Sequence, residues 1–346
     1  MLRFAVGCPG LGSSGRWSFA VAVAVFCSTS AAQTQNVLVL KDVRLASRLG
    51  TDHILIRSGY GFDGNVDFGR LPPFPGYSEV SGVPAAFLAR FLDEHPSNWR
   101  SGDRWRIYTG AGKPVTVSIQ DLALEGHGDG SAAVVAVAQF PDEDTANRVF
   151  GLRASVYLAV PGLGIDETPD RPLMPDDYFE GVVKLEHLLK AHGAAIVKQR
   201  QAGNDGGSAE ALKLDKAFLD AGSFAAQTHI SRWNPQGGKP LLFAEIVWQS
   251  KDGEAVFAAN AIVEQGQTLE ILDFDSRPAE QMRVPYNEKA DTWHSYVPVF
   301  LNAWVLGTHQ LVLKYTQYYE GFSVDLMELV PGKGLLPTGL SYGDGA

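Results

Sequence analysis

The chain reads as an α+β protein: a β-rich N-terminal domain with one helix, followed by two helices and a C-terminal antiparallel β meander. Three observations predict this. Runs of β-branched and aliphatic residues, many alternating with polar ones, are bounded by glycine and proline along most of the chain. Apolar residues recur at helical spacing in only three stretches. Hydrophobic residues make up 45% of the 346 positions and charged residues 20%, a composition that can bury a core and is unlike that of disordered chains. A chain of this length usually exceeds what a single core supports, which predicts two domains.

The first segment reads as an export signal. Arg3 and Arg16 carry the only charges before Lys41, and Phe19 to Cys27 is an apolar run too short for a bilayer span of about 20 residues. Ser30-Ala31-Ala32 places small residues where a signal peptidase cuts, so residues 1–32 are expected to be removed, leaving an exported, periplasmic or secreted chain with no membrane anchor. Cys8 and Cys27 are the only cysteines and lie in that segment. The mature chain then has no thiol, which excludes disulfides, thiolate metal sites and cysteine nucleophiles. Losing Arg3 and Arg16 takes the formal charge from −10 to −12. So acidic a surface repels nucleic acid and anionic lipid.

In residues 33–160, strands are predicted at 36–45 and 53–56, and a helix from Pro84 to His95 with Phe87, Leu88, Phe91 and Leu92 on one face. Trp105 and Ile107, then Val115, Val117 and Ile119, alternate with polar residues as half-buried strands do. Further strands are expected at 132–140 and 154–160. Residues 161–176 contain Pro161, Pro169, Pro172 and Pro175 and read as a linker. The second domain, 177–330, should begin with helices at 177–192 and 208–221, ended by Gly193 and Gly222 and separated by a glycine-rich loop at 201–207. Strands follow near 240–249, 254–263, 267–275, 296–306, 309–318 and 321–328, with hairpin turns at Lys251-Asp-Gly253 and Gln265-Gly266. The glycine-rich residues 331–346 read as a loose tail.

The polar motifs divide into accidents and candidates. Gly339-Leu-Ser-Tyr-Gly343 matches a nucleophile elbow, but too little chain follows it to supply the later Asp and His. His187 and His192, five residues apart, sit about 140° apart around a helix and so belong to its surface rather than to one ligand-bearing face. His127 and Asp129 share the turn Gly126-His-Gly-Asp-Gly130 and are the candidate base and orienter of a hydrolytic site assembled from distant residues. Asp273 and Asp275 end a strand, where they either flank a substrate or solubilise an edge. Asp63, Asn65 and Asp67 place oxygen ligands at alternating positions, the pattern of a calcium loop, although Phe68 and Phe74 stand where an EF-hand needs Gly and Glu. Calcium is thus the only cofactor the sequence suggests. Among the aromatic residues, most tryptophans on strands should pack inward, while Trp293 and Tyr319 lie nearest to loops and are candidate ligand contacts.

The segment Val299 to Leu313 with Tyr318 to Phe322 resembles the acidic-loop β repeats of secreted bacterial proteins of the FG-GAP or VCBS kind. That resemblance implies a strand-turn-strand unit. The family's turn binds calcium through aspartates, whereas here Val305-Leu-Gly-Thr-His309 occupies the turn, so the metal role does not carry over. Taken together, the sequence points to an exported, non-catalytic binding or cell-envelope protein for a protein, peptide or glycan ligand. The competing expectation is a secreted hydrolase built around His127 and Asp129.

Overall fold

In a computed structural model, the described residues are 42–62, 71–95, 97–110, 112–126, 131–151, 156–162, 173–176, 178–202, 216, 218–219, 224–235, 237–250, 256–278, 299–317 and 322–344. The first strands are β1 (Arg44–Leu49), β2 (His53–Phe62), β3 (Pro73–Phe74) and β4 (Tyr77–Gly82). Helix α1 (Ala85–Glu94) precedes β5 (Arg104–Tyr108), β6 (Val115–Gly126) and β7 (Ala132–Gln139), and α2 (Glu143–Phe150) precedes β8 (Val156–Pro161). Strands β6, β5, β8, β1, β2 and β7 are neighbours in that order, and β7 pairs back onto β6, closing a six-stranded antiparallel barrel. The β3–β4 hairpin extends the sheet from β6.

Side-chain size explains how so small a barrel closes. Trp105 and Tyr157 share the interior with Ile54, Ile56, Ile107 and Val134 and with the small residues Ala46, Ala132, Ala136, Ala138 and Ala159, so large and small side chains are mixed. A register shift in β6 between Ile119 and Asp121 turns the strand by one residue. Val117 and Ile119 before it, and Leu122 and Leu124 after it, then all join the interior core. Phe87 and Phe91 of α1 pack against this core, as do Ala146 and Val149 of α2. Helix α2 is not among the expected elements, and its start rests on one residue: the Asp142 side chain accepts from the Thr145 N–H at 2.6 Å. The N-terminal region therefore carries two helices among its described residues, where one was expected.

The second half opens with β9 (Met174–Pro175), α3 (Val182–Ala202) and β10 (Phe224–Trp233). The strands β11 (Leu241–Ser250), β12 (Val256–Gln265) and β13 (Leu269–Pro278) complete a five-stranded sheet in the order β13-β12-β11-β10-β9. A second sheet runs in chain order: β14 (Val299–Leu306), β15 (His309–Gln317), β16 (Phe322–Val330) and β17 (Gly334–Asp344). The expected tail at 331–346 is thus largely a strand, because β16 offers a free edge and β17 pairs along it from Gly334 to Asp344. Nor does Gly193 end a helix. It is buried inside α3, where a Cβ would touch the rings of Phe218 and Phe274 at 3.4 Å. Glycine here admits neighbouring rings and is not a stop. Of the expected helix 208–221, only residues 216, 218 and 219 are described, and these are helical.

Packing arranges these parts in layers. Tyr108, Leu45 and Leu158 on the outer wall of the barrel bury against Trp304, Leu311, Leu313 and Leu326 of the four-stranded sheet. That sheet's opposite face sets Phe300, Val312 and Leu329 against Trp233, Phe243 and Ile262 of the five-stranded sheet. Leu185, Leu189 and Val197 of α3 cover the far side of the latter. Double coverage accounts for the continuous apolar runs of β8 and β11. Residues 36–346 cluster as one compact unit. Most of the expected linker, 163–172, and of the loop at 201–207 lies outside the described residues.

Candidate functional site

His127 and Asp129, Trp293 and Tyr319, and Asp63, Asn65 and Asp67 all lie outside the described residues. Among the described residues, no group of three His, Cys, Asp or Glu side chains is placed to hold a metal ion. Ser341 of the Gly339–Gly343 motif lies within β17, opposite Asp325 of β16, with no strand-to-helix elbow around it. Trp99, Trp105, Trp233, Trp248 and Trp304 are core residues. His187 and His192 are exposed on α3, the latter with its ring edge-on to Phe274 at 4.8 Å.

Among the described residues, three polar constellations are set apart by their surroundings. The first clamps the β3–β4 hairpin to the barrel: His53 Nδ1 lies 2.7 Å from both Asp52 Oδ1 and Tyr77 Oη. Gln139 donates to Asp52 Oδ2 at 3.1 Å and, with His53, holds the Asp52 carboxyl below the usual carboxylate range. Burial raises the Tyr77 phenol. With both partners on one ring nitrogen, the arrangement is a fastening of the hairpin.

The second is a polar row across the inner face of the five-stranded sheet. His229, Glu245, Asn260 and Asp275 stand opposite one another on β10, β11, β12 and β13. Glu245 is half-buried, and desolvation pushes its carboxyl up to about 7, opposed by the Phe300 N–H that donates to it at 3.1 Å. Asp275 accepts from Lys314 Nζ at 3.1 Å, and Asp273 accepts from the Leu335 N–H at 2.9 Å. The two aspartates, expected at a strand end, lie inside β13 and join it to the neighbouring sheet.

The third constellation is open. A cleft of about 880 Å³ lies between the start of α3 and the β12–β13 turn. One wall is built by fastening the chain before α3 to β10. The Asp176 N–H donates to the Ile230 carbonyl at 2.8 Å, and Arg232 Nε donates to Asp176 Oδ2 at 2.8 Å. Two short turns then carry Tyr178, Phe179 and Glu180 into the helix, with Phe179 N–H bonded to Asp176 O and Val182 N–H to Phe179 O. Lys184 and Leu188 follow one helical turn apart and line the same space. The facing wall is the Gln265-Gly266 turn with Gln267, Thr268 and Leu269. The turn and a helix from 177 are each predicted from sequence, but their juxtaposition depends on tertiary packing and leaves no sequence signal.

The lining combines an apolar floor of Phe179, Leu188 and Leu269 with four charged groups, Asp176, Glu180, Lys184 and Arg232, whose signs cancel. Tyr178 stands at the cleft with 92% of its surface exposed. A smaller groove of about 500 Å³ runs over the barrel wall past Arg104, Thr116, Ser118 and Gln139, and it offers a single charged group and no exposed aromatic ring. Comparison of the chain with protein-family models, with curated proteins and with solved structures returns no match.

Proposed function

We propose that the mature chain is an exported, non-catalytic binding protein and that its ligand occupies the cleft beside the start of α3. The observation that supports this reading is the pairing of an open, concave surface with Tyr178, an aromatic ring left almost wholly in water at its edge. Pockets that hold ligands join an apolar floor to a few convergent polar groups. Tyrosine supplies a flat apolar ring with a polar tip and recurs at binding surfaces for that reason. The expected removal of residues 1–32 on export supports this reading, because a chain without cysteine suits an oxidising compartment.

The test is a thermal-shift screen of the exported chain against peptides and soluble oligosaccharides, run in parallel on Tyr178→Ala. A saturable rise in melting temperature for the wild type that is lost in the variant supports the proposal. Ligand responses that Tyr178→Ala leaves unchanged place the site elsewhere, and turnover of chromogenic ester or glycoside substrates overturns the non-catalytic reading.

A further inference from the structure

We propose that the cleft beside α3 takes a short segment of another polypeptide, one with an apolar side chain flanked by charged residues; this rests on the cleft being the ligand site.

The first argument is charge. Asp176 and Arg232 already neutralise each other at 2.8 Å, and Glu180 and Lys184 add one charge of each sign. An anionic ligand such as a phosphate needs an uncompensated cation, and here the formal charges sum to zero. Peptides can present both signs within a few residues. The second is the floor. Phe179, Leu188 and Leu269 line the cleft beside those charges. An apolar side chain of a peptide is buried on such a floor, whereas a neutral sugar leaves the charges of Glu180 and Lys184 unmatched.

The third argument is Tyr178, which lines the cleft and is exposed at 92%. Its ring carries apolar surface to the cleft's edge, where an apolar side chain of a peptide gains from covering it.

The experiment titrates the exported chain with a positional library of short capped linear peptides and, separately, with neutral gluco- and chito-oligosaccharides, read by fluorescence anisotropy and calorimetry. The best peptides are expected to share an apolar centre with charged neighbours and to bind with a Kd on the order of 1–100 μM. Tyr178→Ala and Leu188→Ala should each weaken them by about tenfold. Lys184→Glu, an exposed change that leaves the fold intact, should reverse the charge preference beside the anchor. If oligosaccharides bind in a Tyr178-dependent way and peptides do not, the cleft reading survives and the peptide assignment is overturned. Binding of either class that ignores all three variants, or no binding at all, overturns both.

Discussion

The barrel is filled. Trp105 and Tyr157 occupy its interior, and α1 and α2 add Phe91 and Val149 to the same core. The five-stranded sheet buries its face under α3 just as thoroughly through Leu185, Leu189 and Trp248, yet the residues leading into that helix stand away from the β12–β13 turn and leave a cleft. One half uses its apolar residues for closure, and the other keeps Tyr178, Met174 and Val183 in water. The contrast separates side chains that hold the fold from side chains with no evident part in holding it. Variants at the two kinds of position should therefore move different observables.

The largest expected effect lies in the barrel. Trp105→Ala leaves a void in the closed barrel and should cost about 3–5 kcal/mol in urea unfolding. A loss under about 1 kcal/mol would mean that the barrel collapses around the void and is not the rigid partner in the comparison.

Next comes Glu245, whose effect depends on pH. Its folded pKa of about 7 exceeds the unfolded value of 4.5, so the folded chain holds a proton that the unfolded chain releases between those values. Stability from this group is present below pH 4.5 and is lost as pH rises through 7. The loss amounts to about 3 kcal/mol, because each tenfold change in proton affinity is worth roughly 1.4 kcal/mol. Glu245→Gln keeps an acceptor for the Phe300 N–H and has no charge to bury. It should be more stable than wild type by about that amount at pH 8 and nearly equal to it at pH 4. Equal differences at both pH values would place the carboxyl in water.

Smaller again is the cross-sheet ion pair. Lys314 is largely buried and Asp275 more exposed, so Lys314→Met should cost about 1 kcal/mol and leave cleft binding untouched. Smallest for stability is Tyr178→Ala, expected within about 0.5 kcal/mol of wild type because the ring packs on so little. A stability loss well beyond that would make Tyr178 a structural residue and remove the contrast it anchors.

How much of this was legible in the sequence depends on how local the determinant is. Strands β11 to β16 fall close to their expected positions because alternation and doubly covered apolar runs are local patterns. Closure of the barrel is not local. It requires β7 to pair with both β2 and β6, and the phase change in β6 shows only as two adjacent polar residues, Gln120 and Asp121. Gly193 misled because its usual meaning at a helix end was overridden by the rings packed on it. In β17, Leu335, Pro337 and Gly339 carry no clean alternation, and the strand owes its existence to the edge of β16. The cleft was half legible. The Gln265-Gly266 turn and a helix near 177 were readable, but the exposure of Tyr178 is decided by what fails to pack on it. The polar groups singled out in the sequence, His127 with Asp129 and the Asp63–Asp67 loop, fall outside the described residues, so the cleft rests on a different set of side chains.

The most direct test of the central claim is hydrogen–deuterium exchange on the protein with and without a saturating peptide chosen from the titrations. Slowed exchange is expected in 176–188 and 265–269, with the barrel strands β5 and β6 unchanged. Protection that appears instead along Arg104–Tyr108 and Val115–Gly126, with the start of α3 unaffected, would move the site to the barrel wall and contradict the account.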